Sequence, residues 1–271
     1  MTRAPMRILR RAVAALAAAA FAAGAAAHDT WFEPLPATPG GHAVFLLGTG
    51  TRFPTYEFPL GYEYLVASGC RGEGANTAPL AHVEDRPAAL MVRSATPLDT
   101  KAGNTCWAQL AAFDVVVPPD KIEVYLREIQ ASPAQRATWA AMKARGLPWR
   151  ENYTKSARIE LGGTGLRTPA ALTMDVLLDN ARQPIRAGDE VAFQVLRDGA
   201  PLAGLPVELV GNVSPVGIWR RTDAQGRIRV AVPLAGRWIL RGVDLHVSSK
   251  TADEWESWFV TLAFEVAPAV R

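Results

Sequence analysis

Glu190-Val-Ala-Phe-Gln-Val-Leu-Arg197, closed by Asp198-Gly199, is the stretch that decides the fold class. Apolar and β-branched residues over eight positions, ended by an Asp-Gly turn pair, read as a strand and not as a helix. The same grammar repeats on both sides of it. Leu172–Leu178, Pro206–Val210, Ile218–Thr222, Arg227–Val232, Arg237–Val243 and Ser257–Val266 are further strand candidates, separated by Gly211-Asn212, Asp223-Ala-Gln-Gly226 and Ala235-Gly236. Short strands at this spacing suit a small immunoglobulin-like or transthyretin-like sandwich, because each strand buries one face only.

Toward the N-terminus the pattern is similar. His28–Leu35 and His42–Leu47 read as strands joined by Pro39-Gly40-Gly41, and Tyr62–Ser68, Ala88–Val92, Cys106–Leu110 and Phe113–Val117 follow, with Gly69 to Ala78 read as a loop. Between the two β-halves the period changes. Asp120-Lys-Ile-Glu123 has the form of a capping box, and Ile122, Tyr125, Leu126 and Ile129 recur at helical spacing. A second box, Ser132-Pro-Ala-Gln135, opens another helix that Gly146 and Pro148 stop. Glu151–Leu161 returns to strand-like alternation and Gly162–Pro169 reads as a linker. The expectation is a mainly β chain of two β-sandwich domains: residues 28–168 with a helical insertion at about 120–146, and residues 169–271.

Residues 1–27 read as a signal peptide. Arg3, Arg7, Arg10 and Arg11 form a basic start, Ala12 to Ala23 an apolar run too short to span a bilayer, and Gly24 to Ala27 the small residues a signal peptidase needs. Cleavage after Ala27 makes His28 the first residue of a periplasmic or secreted protein. It also removes the basic excess: the full chain has 29 Lys+Arg against 26 Asp+Glu, and without those four arginines 25 remain against 26. A near-neutral chain with no basic stripe interleaved with aromatics gives no basis for nucleic-acid binding. Cys70 and Cys106, the only two cysteines, are expected to pair in an oxidising compartment.

A free α-amine beside the imidazole of His28 offers two nitrogen donors that can close a chelate ring on copper, nickel, cobalt or zinc. Asp29 and Glu33 are candidate carboxylate ligands. Of the remaining histidines, His246 is the second candidate ligand, because alternation along its strand sets it on one face with Asp244. His82 and His42 are expected in solvated loops. Tyr153, Lys155 and Arg158 form a basic and aromatic strand that suits either an anionic ligand or, as expected here, a solvated face. Trp31, Trp107, Trp238, Trp255 and Trp258 are expected in the core. There is no G-x-S-x-G elbow, P-loop, G-x-G-x-x-G after a strand or H-E-x-x-H, so no catalytic residue and no enzyme class is assigned.

An ordered set of motifs carries a resemblance over the mature chain: His28-Asp-Thr-Trp-Phe-Glu-Pro34, Val124-Tyr-Leu126, Glu151-Asn-Tyr-Thr-Lys-Ser-Ala157, Val195-Leu-Arg-Asp-Gly-Ala-Pro-Leu-Ala-Gly204, Thr222-Asp-Ala-Gln-Gly226, Gly236-Arg-Trp-Ile-Leu240 and Ser257-x4-Leu262-x-Phe264-Glu265. In this order they resemble the NikM-like periplasmic family of unknown function associated with nickel or cobalt uptake. The resemblance implies a β-rich periplasmic accessory of metal transport, with His28 the leading ligand and a TonB-dependent receptor or metal transporter component as partner. The chain has no membrane-spanning segment or histidine-rich loop of the kind found in some transport-linked relatives. Two other readings differ in class: a metal-free interaction module, and a copper oxidase with a histidine brace, which needs a second histidine beside His28.

Overall fold

The computed structural model describes residues 28–72, 76–98, 103–162, 168–179 and 184–270; the expected signal segment, 1–27, lies outside them. Strands make up 54% of the chain and helices 11%, so the expected mainly β class holds. In chain order the first half contributes β1 (Asp29–Leu35), β2 (Val44–Gly50), β3 (Leu65–Gly72), β4 (Leu80–Arg86), β5 (Ala89–Ser94), β6 (Asn104–Leu110), β7 (Phe113–Val117), α1 (Pro119–Glu128), α2 (Pro133–Ala144) and β8 (Trp149–Leu161). The second half contributes β9 (Met174–Leu178), β10 (Glu190–Arg197), β11 (Ala200–Pro201), β12 (Pro206–Gly211), β13 (Ser214–Arg221), β14 (Arg227–Ala231), β15 (Gly236–Val247) and β16 (Trp255–Val266).

An eight-stranded sheet is the middle layer. It runs β13-β12-β15-β16-β8-β6-β3, with β7 also on β8. Its central pairing is parallel, from Trp255 opposite Glu151 to Ala263 opposite Ile159. Since β8 precedes residue 168 and β16 follows it, hydrogen bonds of one sheet join the two halves of the chain.

Alternation along β8, β15 and β16 gives this sheet two different faces. On one face β16 presents Val260, Leu262 and Phe264 to a second sheet, in which β10 is flanked by β9, β11 and β14. Phe193, Val207, Leu240 and Trp238 fill that sandwich. The other face carries two separate cores. Trp31, Phe32, Leu47, Leu90, Ile159 and Ala263 lie under the antiparallel sheet β1-β2-β5-β4, while Trp149, Trp255 and Phe259 lie under the helices with Ile122, Tyr125, Trp139 and Met142. The Cys70–Cys106 disulfide forms as expected, between directly opposed residues of β3 and β6.

Some local expectations are corrected. Leu80–Arg86 is a strand where a solvated loop around His82 was expected; everything after Ala81 on it is exposed, so the charges that mark a loop also suit the edge of a sheet. The Asp120…Glu123 capping box does not form, because α1 starts at Pro119 with Pro118 as N-cap, leaving Asp120 in the first turn beside the helix dipole. Tyr62–Tyr64 is a short 3-10 turn ahead of β3 and not part of the strand. The Ser132 box does form: Gln135 N donates to Ser132 Oγ at 3.2 Å and Ser132 N to Gln135 Oε1 at 2.6 Å.

Candidate functional site

The N-terminal strand is laid across the middle of the long sheet, where it touches both β8 and β16. Polar contacts anchor its first residues. The Asp29 carboxylate accepts from Arg241 Nη1 at 2.6 Å, and the same guanidinium donates to Glu208 Oε2 through Nε at 2.8 Å and Nη2 at 2.5 Å. Thr30 Oγ1 lies 2.8 Å from Thr49 Oγ1, and its carbonyl accepts from Thr261 Oγ1 at 2.5 Å. Asp29 and Thr30 are buried, so these partners replace the water they lose.

His28 directly precedes β1. Its half-buried ring is tilted against Phe58, with centroids 4.3 Å apart. Burial, assisted by the positive charge of Lys155 and opposed by Glu57, pulls its pKa down to about 4. The imidazole is therefore neutral near pH 7 and able to donate a lone pair. The Glu57 carboxylate, held below its usual range by hydrogen bonding to Thr51, is ionised; Thr51 N donates to its Oε2 at 2.6 Å.

The odd-numbered face of β8 carries the helical core at Trp149 and the core beneath β1 at Ala157 and Ile159, and the seam between the two cores holds Glu151, Tyr153 and Lys155. Glu151 is fully engaged there, accepting from Tyr125 Oη at 2.8 Å, from Trp149 Nε1 at 2.7 Å and from Ser257 Oγ. Burial nevertheless raises its pKa, against those hydrogen bonds. Lys155, 8% exposed, holds its ammonium 5.2 Å from the centroid of Tyr153 and 5.6 Å from that of Phe259. Burial lowers its pKa to about 8, while Asp29 and Glu151 pull it back up. Among the described residues no side-chain hydrogen bond or ion pair holds the Lys155 ammonium. The expected solvated face is thus reversed. Tyr153 and Lys155 face the seam, and Arg158, 0% exposed, points through the other face, donating Nε to Glu160 at 2.8 Å and Nη1 to Asp175 at 3.0 Å.

These positions reorder the expected ligand set. His28 and Asp29 are neighbours, but the Asp29 carboxylate is held by Arg241. Glu33, further along β1, is ion-paired with Arg237. His246 does share a face with Asp244, as alternation predicts, its Nε2 2.6 Å from Asp244 Oδ1. That face is the far one: Arg197 lies 3.7 Å from Asp244 and stacks on Trp258, 3.3 Å from its ring centroid. His28 and His246 therefore lie on opposite sides of one sheet and cannot share an ion in this fold. Among the described residues no group of three or more His, Cys, Asp or Glu is arranged to hold a metal.

Two residues whose charges reach His28, Glu57 and Lys155, are absent from the expected ligand set. Nothing in the linear sequence marks Glu57, whereas alternation along β8 groups Lys155 with Tyr153 and Glu151. The larger clefts lie elsewhere. One of about 480 Å3, mostly apolar, includes Phe32, Phe45 and Phe264 in its lining, and one of about 620 Å3 includes Asp114, Arg150 and Lys250; neither includes His28.

No curated protein sequence matches the chain. Among solved structures, a chain in the crystal structure of the titin domains Z1Z2 in complex with telethonin is similar at 9% identity and a TM-score of 0.19, covering 88% of this chain and 96% of that one. A family model described as a domain of unknown function, DUF4198, matches residues 25–243, and the chain belongs to that family.

Proposed function

We propose that the protein is exported to the periplasm, is cut after Ala27, and binds one divalent transition metal ion through the α-amine and imidazole of His28. In this reading it serves as a non-enzymatic accessory of nickel or cobalt uptake, as its resemblance to the NikM-like family suggests. The observation that carries the proposal is the neutral, half-buried imidazole at a terminus pinned by the Asp29–Arg241 pair. A fixed strand end sets amine and ring in one place, and a neutral ring does not repel an arriving cation. Glu57 is the third donor in this scheme, because it is ionised, forms no ion pair with a described residue, and its field reaches the ring. Asp29 and Glu33 become supports of the site, not ligands. His246 drops out of it, and with it the second histidine on which the brace oxidase depends.

Mass spectrometry of the exported protein tests the terminus. Calorimetric titration with Ni2+, Co2+, Cu2+ and Zn2+ then tests the chelate, on wild type, on His28→Ala and on a variant with one alanine inserted before His28. The expected result is a mature chain starting at His28 and loss of binding in both variants. A different first residue, or binding that survives in both, overturns the reading. No binding in wild type favours the metal-free interaction module.

A further inference from the structure

We propose that the free edge of β13 is a docking edge, to which an extended acidic segment of a partner protein adds as a further strand of the middle sheet. The inference is independent of the metal reading. β13 ends that sheet, and among the described residues β12 is its one strand partner. Backbone bonds at its end fix which way its groups point. Thr222 N donates to Leu205 O, and Gly204 N to Thr222 O, both at 3.0 Å, so the Thr222 backbone faces the β12 side. Alternation then turns Ile218 and Arg220 toward β12, where they oppose Leu209 and Val207, and turns Trp219 and Arg221 away. The Trp219 carbonyl has that outward direction, because it accepts from Arg220 Nη1 at 2.8 Å on the exposed side. Among the described residues no backbone partner takes the N–H groups of Trp219 and Arg221. At the other end of the sheet, by contrast, Cys70 of β3 exchanges both its backbone bonds with Ala78, at 2.7 and 2.8 Å.

The side chains along the edge select its occupant. Val216 is 71% exposed, and Arg220 and Arg221 are exposed and form no ion pair with a described residue. β13 itself contains no acid. Two copies of it laid side by side gather four arginines in one ribbon without a counter-charge, which disfavours pairing with a second copy of the chain. A strand with two adjacent acidic residues suits the edge better. Its main chain satisfies the open donors, and neighbouring positions put one carboxylate on each face, as Arg220 and Arg221 put one guanidinium on each.

The probe is the blocked peptide Thr-Val-Glu-Glu-Val-Thr, added to the mature protein while amide hydrogen exchange is followed residue by residue. Exchange at Trp219 and Arg221 is expected to slow. A peptide with Lys-Lys for Glu-Glu, and the acidic peptide N-methylated throughout, are expected to give no protection. The double variant Arg220→Glu, Arg221→Glu is expected to bind the acidic peptide about ten-fold more weakly and to accept the lysine peptide instead, with circular dichroism checking its fold. No protection by the acidic peptide, equal protection by the lysine peptide, or protection by the N-methylated one overturns the inference. Protection of the two amides that rises with protein concentration in the absence of peptide also overturns it, in favour of a second copy.

Discussion

Arg241 Nη1 lies 2.6 Å from Asp29 Oδ2, joining two residues 212 positions apart and tying the first residue of β1 to the middle of β15. Arg241 also holds Glu208 on β12, so one guanidinium fastens three strands around the proposed site. Burial alone disfavours the charged guanidinium, but the two carboxylates outweigh it and raise the Arg241 pKa.

Asp29→Ala is expected to leave this guanidinium with one carboxylate in a largely buried setting. Removing one partner of such a pair costs about 2 to 3 kcal/mol of folding stability, measurable by urea denaturation. Metal affinity is expected to fall as well, since the strand end that presents His28 loses its anchor. A loss of stability without any change in affinity would separate Asp29 from the site.

The two shifted histidines predict a stability maximum with assignable flanks. His28 titrates at about 4 when folded and 6.5 when unfolded, so between those values the unfolded chain holds the extra proton and stability rises with pH. His246 is shifted the other way, raised chiefly by its hydrogen bond to Asp244. The stability this pairing confers is complete below pH 6.5 and is lost as pH rises through the raised value. His28→Gln is expected to remove the rise this histidine contributes between about pH 4 and 6.5, leaving Glu57, which contributes below that window, and Glu151, whose raised pKa pulls stability down as pH rises. His246→Gln is expected to flatten the alkaline flank. Urea midpoints measured across pH 4 to 8 check both, and a variant curve parallel to wild type would deny that histidine its part.

The strands were largely legible because their alternation and turn signals are local properties. Glu190–Arg197 and Phe113–Val117 fall where the pattern puts them, and Ser132 caps its helix as its box predicts. β4 was not legible, since an edge strand exposed along most of its length has the composition of a loop. The site was legible in part. His28 is singled out by its position, but whether Asp29 faces a metal or an arginine depends on β15, far along the chain. Lys155 and Arg158 read as one basic stripe, yet they differ by an odd number of residues and so lie on opposite faces of β8.

The disulfide closes a segment of 36 residues between adjacent strands of the middle sheet. Replacing both cysteines with alanine is expected to cost about 3 to 4 kcal/mol, on the chain-entropy account of a loop of this length. Both cysteines are fully buried, so reductant without denaturant is expected to leave the bond intact. Thiol labelling after native reduction checks the second point, and urea denaturation of the double variant the first.

Lys155→Met separates a structural from a functional reason for a buried lysine. A lysine that held the fold together would have acceptors, and its removal would destabilise. Here burial is the leading influence on the ammonium and outweighs the fields of Asp29 and Glu151. An apolar side chain of similar length, packed against Tyr153 and Phe259, is therefore expected to raise stability by about 1 kcal/mol. Thermal or urea denaturation showing Lys155→Met to be less stable than wild type would mean that the ammonium's contacts with Tyr153 and Phe259 outweigh the cost of burying it.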